Sequence, residues 1–190
     1  VNNTDESIHG QATVTCKDVT NMDYMFQSCT KLTSLDLSDF DTSNVTDMSA
    51  AFYECENLTA LDVSNFDTSN VTSMGGMFDG CSSLKVAPAL PATELKSTCY
   101  AYMFDDCTSL TVTPELPATT LSPYCYNYMF SDCTSLTTAP ALPATDLAKS
   151  CYSGMFSGCT ALTKAPELKA SILVTDCYSY IFLDCSNLSS

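Results

Sequence analysis

The chain contains no arginine, no tryptophan and one histidine, His9, and its seven lysines face 22 aspartates and glutamates for a formal charge of −15. It therefore lacks the planar fork that grips phosphate bidentately, and its negative field repels phosphate backbones and anionic lipid heads alike. Nucleic acid is not an expected partner. An active site needs a nucleophile, a base and an oxyanion donor held together, and no residue breaks the pattern of this chain in a way that suggests one. No enzyme and no catalytic residue are expected. No run approaches the roughly 18 consecutive apolar residues that span a bilayer, so this chain is not expected to insert into a membrane. One histidine and the absence of any Cys-x-x-Cys give no basis for a zinc site, and no metal or other cofactor is expected.

What the chain has is a period. Phe26, Phe52, Phe78, Phe104, Phe130, Phe156 and Phe182 are spaced 26 residues apart, each followed three residues later by a Cys (Cys29 to Cys185) and six later by a Leu (Leu32 to Leu188). A fixed period of this length marks a solenoid, in which each copy packs only on its neighbours along one elongated core. Residues 14–190 are read as one continuous array of seven copies and residues 1–13 as a lead-in or linker. The chain opens without Met and stops partway through a copy, and it reads as a fragment of a longer protein.

Within one copy, Cys29, Leu32, Leu35 and Leu37 return as Cys55, Leu58, Leu61 and Val63. The alternation of Leu35 and Leu37 around Asp36 predicts a strand with its apolar residues inward. Stacked copies would then form a parallel sheet with neighbours about 4.8 Å apart, a ribbon on the order of 30 to 35 Å long with the phenylalanines inside. Upstream of each Phe, steps of three and four in Val45, Met48, Phe52 and Cys55 predict a short helical face of about two turns on the returning side.

The array has two flavours. Residues 14–84 carry Asp- and Ser-rich links such as Asp41-Thr42-Ser43-Asn44, whereas residues 85–190 carry Pro-Ala-Thr links such as Ala139-Pro140-Ala141-Leu142-Pro143-Ala144-Thr145. Pro88, Pro114, Pro140 and Pro166 align with Asp36 and Asp62, and each removes a backbone donor that a central strand would use. The sheet is expected to be two or three residues wide there.

Twelve cysteines admit a disulfide framework, but four of them, at 99, 125, 151 and 177, precede a ladder Cys by eight residues. On a continuous helix that is about 12 Å, beyond bridging distance. Buried thiols and bridges between copies both remain open, and Cys29 and Cys55, which lack a second Cys, point to a site that wants a small apolar group.

The outward column after each Leu reads Thr33, Thr59, Lys85, Thr111, Thr137, Thr163. Such a column can be β-branched filling of a strand, or a hydroxyl-rich recognition strip on a rigid scaffold. The candidate partner-binding residues are Thr33, Asp36, Thr59, Asp62, Thr111, Thr137, Thr163 and Lys164. Asp36 with Asp62 and Asp41 with Asp67 stack in adjacent copies and could attract calcium, yet Asp in such turns also satisfies local backbone donors. Tyr100, Tyr126, Tyr152 and Tyr178 form a further column that can pack in the core or anchor an interface.

The strings Met25-Phe26 through Val45-Thr46 and Cys125-Tyr126 through Ala144-Thr145 resemble the BspA-like leucine-rich repeats of bacterial surface proteins over residues 14–190, with a Met-to-Ala change at Ala51-Phe52. The fold class read here is thus α/β: a leucine-rich-repeat solenoid of seven 26-residue repeats, with a parallel single-layer sheet and short helical turns. The resemblance implies a secreted or surface-anchored, non-enzymatic protein, some relatives of which bind host extracellular-matrix proteins or mediate adhesion. It supplies no binding residue. The partner expected is a protein or glycan, and the alternative role is a structural spacer that holds a separate binding domain away from the cell surface.

Overall fold

In the computed structural model, residues 18–90 and 92–189 are described. The expected lead-in with His9, the first residues of the expected array with Cys16, and Pro91 and Ser190 lie outside them. The chain forms a stack of 26-residue coils around one continuous core, and the phenylalanines run through it as predicted. Successive Phe rings lie nearly parallel, with centroids 5.1 Å apart at Phe26–Phe52 and 5.9 Å apart at Phe156–Phe182. Phe52, Phe78, Phe104, Phe130 and Phe156 are fully buried, with the Leu ladder from Leu58 to Leu162 beside them. Leu37 and Leu61 face the core while Asp36 and Asp62 are exposed, so the inward–outward alternation read from the sequence holds.

The backbone differs from the expectation on both sides of the coil. Among the described residues there is no α-helix, and pairing of the extended kind occurs as isolated parallel bridges, such as Val86 with Val112 and Leu142 with Leu168, in place of a continuous sheet. The segments predicted as helical, residues 22–29 and their equivalents, are ribbons of overlapping turns. In the first, the amides of Met25, Gln27 and Cys29 donate to the carbonyls three residues back, while those of Met22, Tyr24, Phe26 and Ser28 donate to Asp47, Ser49, Ala51 and Tyr53 of the next coil at 2.7–3.1 Å. Every second donor is spent on the neighbouring coil. A helix would need all of them for itself.

This geometry sets which residue types are tolerated. Tyr24, Ala50, Gly76, Tyr102, Tyr128, Gly154 and Tyr180 occupy one column, and all have positive φ, between 51° and 66°. The left-handed position of a turn favours Gly and tolerates Asn, Asp and Ser better than β-branched residues, and the second such column reads Ser28, Glu54, Gly80, Asp106, Asp132, Gly158 and Asp184. On the opposite side the sense of bonding reverses: the amides of Thr59, Lys85 and Thr111 donate to the copy before them. Pro88, Pro114, Pro140 and Pro166 have no amide of their own to add to these contacts.

The cysteine ladder has a specific use. Cys55, Cys81, Cys107, Cys133, Cys159 and Cys185 each donate Sγ–H to the carbonyl of the Phe 29 residues earlier, at 3.0–3.2 Å. All eleven described cysteines are free thiols. Desolvation pushes the thiol of Cys55 up to about 11 and that of Cys159 up to about 12, and those of Cys107 and Cys133 well above the ordinary range. Since the thiolate is the nucleophile, these thiols are expected to resist iodoacetamide at pH 8 in the native state and to react once the chain is unfolded. Among the described thiols, half-buried Cys29 should label first. Mass spectrometry of pulse-alkylated protein checks this, and rapid labelling of Cys133 under native conditions would contradict the packing.

Candidate interaction surface

The predicted strip is assembled as expected in position. Thr33, Thr59, Thr111, Thr137 and Thr163 are exposed, as are Lys85 in the same column and Lys164 beside it. Its chemistry is more restricted than the sequence suggests. The hydroxyls of Thr59 and Thr111 donate to the carbonyls of Thr33 and Lys85, and the Thr163 carbonyl accepts from both the amide and the hydroxyl of Ser189. These threonines stitch one coil to the next and offer a partner their methyl groups and oxygen lone pairs. Asp36 and Asp62 are exposed and accept the amides of Ser38 and Ser64 at 3.0 and 2.9 Å, and these bonds hold both carboxyls below the usual range. Asp41 and Asp67 accept Ser43 and Ser69 in the same way. Local turn satisfaction accounts for all four. The asparagines of the repeat also bridge coils: the Asn57, Asn65 and Asn70 amides donate to the carbonyls of Thr30, Leu37 and Ser43.

Of the Tyr column singled out from sequence, Tyr100, Tyr126 and Tyr152 are buried and stacked, with centroids 5.7–6.0 Å apart within the run to Tyr178. Core packing is therefore their role. The aromatic column that reaches the surface is a different one: Tyr24, Tyr102 and Tyr180 are exposed and Tyr128 between them is half-buried. Its period is the same 26 residues, but Ala50, Gly76 and Gly154 interrupt it, and this hid it.

Side chains on the turn ribbon lean toward the following coil. A Cβ on Gly154 would lie 2.4 Å from the Tyr128 ring, one on Gly158 would fall on the Asp132 carboxylate, and one on Gly80 would press on Glu54. Tyr102 in turn stacks on Tyr128 at 5.4 Å and 2°. At Gly76 the residue that would lean across is Ala50, which is too short to do so. A notch of about 340 Å³ results, bordered by Tyr24, Tyr53 and Tyr102, floored by Ala50, Gly75 and Gly76, and closed on one side by Asp79. A second hollow, of about 380 Å³, lies where the two flavours meet, between Thr68–Val71 and Ala92–Lys96.

Around the notch the carboxylates are dense. Desolvation, reinforced by Asp105, Asp106 and Glu54, raises Asp79 to about 7, and desolvation with Asp106 and Asp132 raises Asp105 to about 6. One oxygen of Asp105 is buried without a hydrogen-bond partner. Both acids bind protons more tightly folded than unfolded, so their contribution to stability is present below about pH 4 and is lost as pH rises through 6 to 7. The melting temperature is expected to fall between pH 5 and pH 8, and Asp79→Asn with Asp105→Asn to flatten the fall. A calorimetric pH series tests it; a slope unchanged in the double variant would exclude these two groups as its source.

Comparison with known families decides the identity. Residues 2–115 match a family model described as "Mycoplasma protein of unknown function, DUF285", and residues 97–190 match "BspA type Leucine rich repeat region (6 copies)". The chain belongs to the DUF285 family and is a BspA-like leucine-rich-repeat protein. No curated protein matches it. A crystal structure of a leucine-rich repeat protein from Bacteroides ovatus is similar over 75% of this chain, at 24% identity and a TM-score of 0.46, and the match spans 33% of that protein. Leucine-rich-repeat arrays are in general protein-interaction modules without catalytic activity, and the BspA-like family is associated with bacterial surface proteins. No helix among the described residues is long and apolar enough to cross a membrane.

Proposed function

We propose that this BspA-like array is an extracellular adhesion module, displayed at or secreted from a bacterial surface, that binds a host matrix or cell-surface protein or glycan. Residues 14–190 act as one continuous scaffold. The observation that carries the reading is the exposed, 26-periodic strip of Thr33, Thr59, Thr111, Thr137 and Thr163, held in register by bonds between coils. Asp36, Asp62 and Lys164 flank it as charged contacts. A rigid solenoid presents such a surface to a partner at little conformational cost.

The test is binding of the purified monomer to immobilised matrix proteins, bacterial surface proteins and glycans at physiological salt. Saturable binding to one class, lost when Thr111, Thr137 and Thr163 are changed together to glutamate, supports the strip. Binding that survives the triple change excludes the strip. Silence across the panel overturns adhesion by this array in favour of a spacer role, which the engagement of the Thr59 and Thr111 hydroxyls with neighbouring carbonyls would suit.

A further inference from the structure

The notch over Gly76 combines three features not required by folding: a missing side chain in an aromatic column, three tyrosines around the gap, and a carboxylate that no described side chain hydrogen-bonds. A Cβ on Gly76 would stand 3.7 Å from Asp79 Cβ and 3.8 Å from its Oδ2, so the carboxylate lies beside the glycine floor of the opening. Tyr24 and Tyr102 are 55% and 42% exposed and three rungs apart, roughly 14 Å at about 4.8 Å per rung. An aromatic-walled hollow with one acid attracts an organic cation, because the ring faces and the carboxylate carry the same sign of field. Glu54, Asp105 and Asp106 add to that field, since all three act on Asp79. The chain makes the same contact internally, with the Lys149 ammonium 5.5 Å from the centroid of the Tyr124 ring.

We propose that this notch receives a lysine side chain of a partner protein, with the ammonium between the Tyr53 and Tyr102 rings and against the Asp79 carboxylate. The proposal rests on the interaction-module reading only for the partner's being a protein. A sugar ring also stacks on tyrosine but gains nothing from an acidic field of this strength, which favours the cation.

Ala50→Tyr is the decisive variant. Tyrosine already occupies this column at positive φ in four other coils, so the substitution restores the pattern and lays a ring over Gly76 without a new backbone demand. The probe is the peptide Gly-Gly-Lys-Gly-Gly, titrated into the whole chain and followed by NMR of the tyrosine side chains. We expect saturable shifts at Tyr24, Tyr53 and Tyr102, weakened about tenfold by Ala50→Tyr, by Asp79→Asn or by Nε-acetylation of the peptide lysine. Binding should also be tighter at pH 8 than at pH 6, as Asp79 ionises beside Glu54, Tyr53, Tyr102, Asp105 and Asp106, and Asp79→Asn should remove that dependence. Equal binding of the acetylated peptide, full binding by Ala50→Tyr with an unchanged melting temperature, shifts spread over the surface carboxylates, or stronger binding of a methyl glycoside at the same tyrosines would each overturn the proposal. The two readings fail separately. If the peptide binds the notch while the panel stays silent, adhesion falls and the notch stands. If the panel yields a partner whose binding ignores Ala50→Tyr, the notch falls and adhesion stands.

Discussion

Phe104→Ala is expected to cost about 3–5 kcal/mol, the usual range for emptying a fully buried aromatic site. Phe104 has no exposed surface and stacks on Phe78 and Phe130 at 5.6 Å on both sides. Its cavity therefore removes contacts from two interfaces between coils. Neighbour coupling is the source of stability in a solenoid, so the loss is also expected to divide cooperative unfolding into two blocks on either side of residue 104. Phe182→Ala is the comparison. That ring is half-buried and, among the described residues, stacks on Phe156 alone, and its loss should cost about half as much and leave one transition. Urea unfolding followed by circular dichroism distinguishes the outcomes. A similar loss at both positions would mean that the ladder does not carry the coupling.

The second large effect has the opposite sign. The hydroxyls of Tyr126 and Tyr152 are buried and have no hydrogen-bond partner, and both phenols are pushed far above their ordinary range, chiefly by desolvation. An unmade buried hydrogen bond costs about 1–3 kcal/mol, while the rings themselves are well stacked. Tyr126→Phe with Tyr152→Phe should therefore raise stability, and at about 2–4 °C per kcal/mol for a chain of this size the melting temperature should rise by several degrees. Tyr100→Phe is the control, because Tyr100 borders the hollow at the junction of the two flavours, and its substitution should change little. A lower melting temperature in the double variant would show that these hydroxyls have partners in solution.

The period, the core columns and the exposed strip were all legible in the sequence for one physical reason. Stacked coils repeat by translation, so a residue at i meets the residue at i+26, and every column can be read directly. The local backbone was not legible from the same pattern. Steps of three and four through Val45, Met48, Phe52 and Cys55 fit a helix face, and they fit overlapping turns equally well, since both bring such positions inward. The discriminating signal lay elsewhere, in Gly, Ser and Asp recurring at 28, 80, 106, 132, 158 and 184, residue types that a helix interior penalises and a left-handed turn position tolerates. The notch was hidden for a further reason. It depends on the direction in which side chains lean, and its floor consists of an alanine and glycines that carry no chemistry of their own.

The alternate amides of the turn ribbon, which join one coil to the next, also determine how the molecule responds to tension. The bonds that hold a coil in place run along the direction in which the coils are stacked, so a pull on the two ends of the chain opens them in tension, one coil at a time, and does not shear a long patch of them at once. Each coil that peels away releases 26 residues, about 90 Å of extended chain, while the coils behind it keep their own contacts. Under load such a protein pays out slack in regular steps at low force and rewinds when the load is removed, a compliant tether in which the undamaged remainder stays folded.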